Sequence, residues 1–275
     1  MAPKIALITG CSTGIGHALA VEFASRGYQV IATARNTASL KQLELDHSNI
    51  KALALDVCDG DSIDRLYDEV SVLANGGLAY LVNNAGAHYA APAIELEADR
   101  IRNVFETNVV GVMRMCAKFS KLLIAGRGTI VQIGSVTRAV PVVWQSPYNA
   151  TKAALSQYTK TLRLELQPFG VHVCEVVTGY VQSNILRDGL QSAPDSLYTP
   201  IKDHIETMKN KGNSNGMPAA VYARRVVDKL VRKNPPPEFW EGAQSWYLYY
   251  ITTWIPTWIS HKIFYAVFKL AKLRR

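Results

Sequence analysis

A short apolar run, Lys4–Thr9, passes directly into Thr9-Gly10-Cys11-Ser12-Thr13-Gly14-Ile15-Gly16, and a helical pattern follows at once. Strand, glycine turn and helix in that order restrict what the chain can become. Glycines let a backbone approach a diphosphate closely. The first turn of a helix offers unpaired N–H groups and a partial positive charge. A glycine-rich stretch elsewhere would be read as a tight turn. Here, behind the opening strand, it predicts a dinucleotide cradle contacted by Gly10, Ser12, Thr13, Gly14, Ile15 and Gly16.

The rest of the first two-thirds alternates β-rich apolar runs with amphipathic stretches. Strands are expected at Lys4–Thr9, Gln29–Ala34, Lys51–Asp56, Tyr80–Asn83, Gly128–Gly134 and Val171–Val177. Their near-continuous apolar character suits strands buried on both faces. Between them Ile63, Leu66, Tyr67, Val70 and Leu73 recur at helical spacing. The alternation predicts an α/β fold: a doubly wound parallel sheet (the Rossmann arrangement) in a three-layer α/β/α single domain. A chain of 275 residues with 48% hydrophobic and 19% charged residues can bury such a core. The stretch 182–217 is polar, with scattered Pro and Gly. It reads as a long loop or a pair of short helices serving as a substrate lid. A helix follows from Pro218 through Tyr222, Val226, Val227, Leu230 and Val231, ended by Asn234-Pro-Pro-Pro. The catalytic body is placed at 1–243 and an aromatic, basic segment at 244–275.

Net charge is +8. No basic stretch is interleaved with stacking aromatics, so no nucleic-acid partner is expected. Cys11, Cys58, Cys116 and Cys174 stand far apart without zinc spacing. They read as free thiols in a reducing compartment, and no metal is expected. The chain begins MAPK and enters a strand immediately, so no signal peptide is expected.

The end of the second strand bears on the dinucleotide. An acid there would bond the ribose hydroxyls and repel a 2′-phosphate. Instead the chain reads Ile31-Ala-Thr-Ala-Arg35, and Arg35 can clamp a phosphate, so NADP(H) is expected. Asp56, at the end of the third strand beside Val57, is read either as an adenine contact or as a helix N-cap. Asn83-Asn84-Ala85-Gly86 follows the fourth strand, Asn108 lies in Phe105-Glu-Thr-Asn-Val, and Ser135 ends the fifth strand. Tyr148 and Lys152 then share one helix face at i and i+4. Free tyrosine, with a pKa of about 10, is a poor base near neutrality. A neighbouring ammonium is expected to lower that value, and Ser135 to hydrogen-bond a substrate oxygen where charge develops.

These residues resemble the short-chain dehydrogenase/reductase family over roughly Lys4–Gly179. The glycine loop resembles its T-G-x-x-x-G-x-G motif and Asn83–Gly86 its N-N-A-G motif. Asn108, Ser135, Tyr148 and Lys152 correspond to its catalytic tetrad. The resemblance implies hydride transfer at a nicotinamide, with Tyr148 as acid/base and Ser135 orienting the substrate. Lys152 would hold the ribose, and Asn108 would support a relay water. It also implies cofactor contacts from Asn84, Ala85, Gly86, Gly179 and Val181, and a homo-oligomer built through the Tyr148 helix. Where the family usually reads Pro-Gly, this chain reads Thr178-Gly179-Tyr180-Val181. A narrower likeness is carried by Val177-Thr-Gly, Met217-Pro-Ala-Ala-Val-Tyr-Ala and the aromatic tail. It is to fungal NADPH-dependent 1-acyldihydroxyacetone-phosphate reductases. The alternative is a pathway-specific ketoreductase or dehydrogenase of fungal polyketide, terpenoid or sterol metabolism. A silent NADP(H)-binding sensor or scaffold would be expected to lack Tyr148 or Lys152, and both are present. A phosphate-bearing substrate would want a cation, for which Arg138, Arg187 and Lys202 are candidates.

Four of five tryptophans fall at 240, 246, 254 and 258, and the chain ends Lys269-Leu-Ala-Lys-Leu-Arg-Arg275. Trp and Tyr favour membrane interfaces, and basic clusters favour anionic headgroups. Pro256, Ser260, His261 and Lys262 interrupt the about 20 apolar residues that a spanning helix needs. The tail is therefore read as a peripheral anchor bordering the entrance for a lipophilic substrate, with an ordinary capping helix as the alternative. An intracellular setting follows, either cytosolic or on the cytoplasmic face of endoplasmic reticulum or lipid droplets.

Overall fold

Residues along each apolar run alternate between two cores, which is why the runs form strands with both faces covered. In strand β1 (Ile5–Ile8), Ile5 and Leu7 enter one core while Ala6 and Ile8 enter the other. The computed structural model describes residues 4–74, 76–185 and 189–273. Within them β1 is joined by β2 (Gln29–Ala34), β3 (Ile50–Ala54), β4 (Tyr80–Asn83), β5 (Thr129–Ile133), β6 (His172–Thr178) and β7 (Glu238–Glu241). These form one parallel sheet in the order β3-β2-β1-β4-β5-β6-β7.

Helices fill both faces, as the expected three-layer arrangement requires. Helix α1 (Gly14–Ser25) packs against one face, followed in sequence by the short α2 (Lys41–Asp46) and by α3 (Gly60–Leu73). Then come α4 (Ala98–Phe105), α5 (Gly111–Gly126), α6 (Ser146–Leu166), α7 (Thr199–Ser214) and α8 (Ala219–Leu230). Leu19 and Phe23 of α1 meet Tyr222, Val226, Val227 and Leu230 of α8 on one side. On the other, Ile63, Leu66 and Val70 of α3 pack with Met115, Phe119 and Leu123 of α5 and Leu155 of α6. Leu73 and Val231, the last residues of two predicted apolar faces, are exposed because each helix ends there.

Three sequence expectations change. A seventh strand, β7, pairs with β6 from Glu175↔Glu238 to Thr178↔Glu241. Its four residues, Glu-Phe-Trp-Glu, follow three prolines and were too short and polar to read as a strand. The lid contains one 16-residue helix, α7, instead of a loop or two short helices. Its buried Ile201 and Ile205 are spaced for a helix, but lysines, asparagines and a glycine obscure the pattern. The tail forms two helices, α9 (Ser245–Thr253) and α10 (Thr257–Val267), broken at Pro256. Their inner residues Leu248, Phe264 and Phe268 join Ile201, Ile205, Val136 and Trp144 in a third apolar cluster. Lid, tail and the segment after β5 are thus one packed unit at the carboxyl end of the sheet.

Candidate active site

The strand order reverses between β1 and β4, so their loops diverge and leave a crevice beyond the carboxyl ends. The two loops are locked together. The Thr9 hydroxyl accepts from Asn84 N at 3.0 Å and Ala85 N at 2.9 Å. The Asn84 amide donates to Thr9 O at 2.9 Å and Gly10 O at 3.1 Å. Gly10 sits at φ +71°, and a Cβ there would lie 2.8 Å from the Ala85 Cα. A Cβ at Gly16 would overlap the Gly10 carbonyl and the Asn84 amide. The packing therefore requires glycine at both positions.

Helix α1 starts above this cradle. Thr13 precedes it without a side-chain cap bond, and its first turn carries no acid. Its free N–H groups and positive end suit a diphosphate. Ser12 and Thr13 are exposed, Ile15 is half-buried, and Gly86 lies at the rim, 3.4 Å in Cβ terms from the Asn108 side-chain oxygen. Ser183, after β6, closes over Gly14 from the opposite side. Arg35 stands exposed at the end of β2, and no described residue pairs with its guanidinium. Val181 is bridged to Met217 through Gln182 N and Tyr180 O, which leaves its own N–H turned away from that partner. Gly179 N donates to Glu241 O, and a side chain at Gly179 would run into the Ala243 carbonyl.

Asp56 is not a helix N-cap. Its Oδ1 accepts from Cys58 N at 2.9 Å, a local turn, while Asp59 caps α3 through Asp61 N. Val57 has its side chain in the core, and its carbonyl packs against Gly111.

The proton-handling residues converge on the face of α6. A turn after β5 holds Ser135, whose Oγ accepts from Thr137 N at 3.2 Å and Thr137 Oγ1 at 3.0 Å. The hydroxyl's own proton remains to be donated. Lys152 is 6% exposed, and its Nζ donates to Ile133 O at 2.8 Å. That Nζ lies 5.6 Å from the Tyr148 ring centre, and the His88 ring lies 5.0 Å from the same ring. Asn108 occupies a π-helical turn, Glu106–Val110. Both its amide hydrogens are committed, to Ala87 O and Thr151 Oγ1, and its oxygen accepts from Ala87 N. Its side chain ties the loop after β4 to α6.

Burial pushes the Tyr148 phenol up to about 12, and a hydrogen bond with Ser135 only partly offsets it. The expected lowering by Lys152 is absent, because the ammonium is turned toward Ile133 O. Burial instead lowers Lys152 to about 8, opposed by the charge of Glu175. Near neutrality the resting pair is a phenol beside an ammonium.

The short chain dehydrogenase family profile matches residues 4–192. The chain belongs to that family. It is therefore an oxidoreductase of a family that binds nicotinamide dinucleotides, and the cradle fits one. The chain is 39% identical over 280 residues to short-chain dehydrogenase srdE of Neurospora crassa, covering 100% of this chain and 96% of that protein. It is 43% identical over 216 residues to an NADPH-dependent 1-acyldihydroxyacetone phosphate reductase of Schizosaccharomyces pombe, covering 76% and 72%. A short-chain dehydrogenase structure from Streptomyces avermitilis superposes with a TM-score of 0.80 at 26% identity, over 98% and 97% of the two chains.

Several site residues escaped the sequence reading. Thr9, which binds both loops together, had a usable signal as the first letter of the glycine motif. Ser183 and Thr151 are isolated polar residues without one. Arg138, a candidate for a substrate phosphate, is committed elsewhere: it is 12% exposed and bonds Glu175, Glu238 and Ser156. Lys202 bonds Ser192 Oγ in a cleft of about 530 Å³ that also contains Glu95 and Glu97. Arg187 lies outside the described residues. Among the described residues no group of three or more metal-ligating side chains is gathered, and no helix is long and apolar enough to cross a membrane.

Proposed function

We propose that the chain uses NADPH to reduce a ketone to a secondary alcohol on a lipophilic molecule. The observation that carries this reading is Tyr148, held as a phenol by burial and flanked by Ser135 and Lys152. Bound NADPH would supply the hydride. Ser135 donates a hydrogen bond to the ketone oxygen and aligns it on Tyr148. As charge develops there, Tyr148 Oη gives its proton, so the carbonyl gains one hydride and one proton in all. Lys152 then faces a phenolate in place of a phenol and holds it by charge. Gly10, Gly14, Gly16 and the start of α1 would hold the diphosphate, with Asn84, Ala85 and Gly86 beside it. Asp56 and Val57 would border the adenine, Gly179 and Val181 the nicotinamide amide. The acid-free end of β2 and the unpaired Arg35 favour the 2′-phosphorylated dinucleotide.

The lipophilic character of the substrate is supported by the apolar make-up of the lid and tail beside this end of the sheet, whose Ile201, Ile205, Leu248 and Phe264 pack together with Trp144. Similarity to the S. pombe reductase makes 1-acyldihydroxyacetone phosphate the first substrate to test. A second reading, a neutral ketone of polyketide, terpenoid or sterol type, is favoured by the cations: Arg138 is spent, and Lys202 shares its cleft with two acids. We also infer that the outer face of the tail rests on an anionic lipid surface in an intracellular setting. Trp246, Tyr250, Trp254 and Trp258 are each more than half exposed, and no acid follows Glu241. Exposed Met113 on α5, and Leu164 and Phe169 along and after α6, support a homo-oligomer through those helices.

A panel of acyl-dihydroxyacetone phosphate, steroid ketones and polyketide-type ketones, followed by NADPH oxidation, tests the reading. At least one class should turn over, and Tyr148→Phe should lose turnover while still binding NADPH. Full activity in that variant, or no reduction by protein that binds NADPH, would refute the reading.

A further inference from the structure

Glu175 takes no part in the chemistry above, yet it is a fully buried carboxylate midway along β6, the strand beside the β7 edge. Burying a charge is costly unless partners and hydrogen bonds offset it. Here the offset is partial. Oε2 accepts from Arg138 Nη1 at 2.5 Å and from Ser156 Oγ at 2.9 Å. Oε1 has no hydrogen-bond partner among the described residues.

That unpaired oxygen is not at a random place. It lies against Gly134, where a Cβ would come within 2.6 Å of it. Gly134 directly follows Ile133, whose carbonyl receives Lys152 Nζ. Ser156, which bonds the other oxygen, is one helical turn from Lys152 on the same face of α6. The carboxylate and the ammonium therefore share one buried space between β5, β6 and α6. Arg138, three residues after Ser135, is gripped from outside by Glu238 of β7 at 2.6 Å and lies over the Trp240 ring.

We infer that Glu175 is the buried counter-charge of Lys152, kept ionised by Arg138. As a positioning residue, it sets the pH range over which Lys152 can hold the dinucleotide ribose and a Tyr148 phenolate. This rests on the proposed role of Lys152 as an ammonium. A plain structural staple joining β6, β7 and the Ser135 turn would need the same Arg138 bonds. It would not need a carboxylate oxygen left without a partner against Gly134, next to the residue whose carbonyl receives Lys152.

Other charges near Lys152 do not supply the field. From its own helix it meets Tyr148, with His88 beyond that ring. The turn after β5 brings Ser135 and Arg138, and β6 brings Glu175. The charges of α4 and the π turn pair at the surface: Asp99 with Arg102, Arg100 with Glu97, Glu106 with Arg114. Glu175 is the acid whose charge opposes the fall of Lys152 toward about 8. In turn Arg138 opposes the rise that burial imposes on Glu175.

The test is NADPH binding to the full chain, read by cofactor fluorescence from about pH 6 to about pH 10, a range that spans the Lys152 titration. Wild-type affinity should fall above about pH 8. In Glu175→Gln the fall should begin about one unit lower, with several-fold weaker binding near pH 8 and equal binding near pH 6. Arg138→Met/Glu175→Leu removes both members of the ion pair and leaves only the part-exposed Glu238 and Lys152 itself without their partners, so it keeps the test open if the single variant does not fold. It should show the same downward shift. A folded variant whose profile superimposes on wild type overturns the inference, as does wild-type binding that ignores pH. If only NADH binds, the phosphate preference proposed above falls and the same series with NADH decides the role of Glu175. Wild-type protein that binds neither overturns both.

Discussion

Arg35→Ala should separate the two dinucleotides without disturbing the fold. Arg35 is exposed at the end of β2, and no described residue pairs with its guanidinium. Its removal therefore breaks no internal contact, and the melting temperature should stay within about a degree of wild type, as surface substitutions usually do. What is lost is a charge-assisted contact with the 2′-phosphate. Hydrogen bonds to charged groups contribute about 1.5–3 kcal/mol. This one is open to solvent and screened, so the lower part of that range applies, about 1.5–2 kcal/mol. At about 1.4 kcal/mol per tenfold, NADPH should bind roughly 10- to 30-fold more weakly, while NADH, which has no 2′-phosphate, should be unchanged. Fluorescence titration of both dinucleotides at two salt concentrations measures this directly, and the wild-type preference should narrow at high salt. Equal losses for the two dinucleotides, or none for either, would refute the assignment of Arg35 to the phosphate.

Lys152 gives a prediction with a definite sign. Its folded value, about 8, lies below its ordinary 10.5, so between those values the unfolded chain binds more protons and wild-type stability rises with pH. The stability advantage of Lys152→Met over wild type should therefore shrink by up to roughly 3 kcal/mol between pH 8 and pH 10.5 in urea unfolding. A constant difference would contradict the lowered value. For the tail, Trp254→Ser/Trp258→Ser should reduce sedimentation with phosphatidylserine-containing vesicles several-fold without lowering stability, since both rings are exposed. Unchanged sedimentation, or a wild type that ignores vesicles, would remove the membrane reading.

The parts of this molecule legible in its sequence are those whose meaning is local. The glycine loop is intelligible from one strand and one helix start, and Tyr148 and Lys152 from one helical turn. Arg35 needed only the end of one strand. What could not be read depends on residues brought together from afar. Arg138 meets Glu175 across 37 positions and Glu238 across 100. Nothing in its neighbourhood says that it is spent on them and closed to a substrate phosphate. The short β7 is a strand because β6 offers it an edge, and α7 is a helix whose apolar face is only two residues deep in the core. The error over Tyr148 is of the same kind. Spacing placed an ammonium next to the phenol, but burial and the carbonyl of Ile133 decide what that ammonium does.

The same burial that raises Tyr148 and lowers Lys152 explains how a phenol near 12 can still be a useful acid. Before proton transfer the pair carries one positive charge, on Lys152, in a space that disfavours isolated charge. After transfer it carries a phenolate and an ammonium with no net charge. The low-dielectric surroundings penalise the phenolate alone, but they strengthen its attraction to Lys152 once both are charged. Burial therefore sets the high value while Lys152 is turned to Ile133 O and no partner charge is directed at the phenol. Rotating that ammonium toward the phenolate and ribose would use the remaining N–H groups of Lys152 without surrendering the Ile133 bond. On this account the geometry favours proton donation, the step that ketone reduction requires. Glu175, holding the ammonium charged behind it, keeps that step available up to the pH at which Lys152 lets go of its proton.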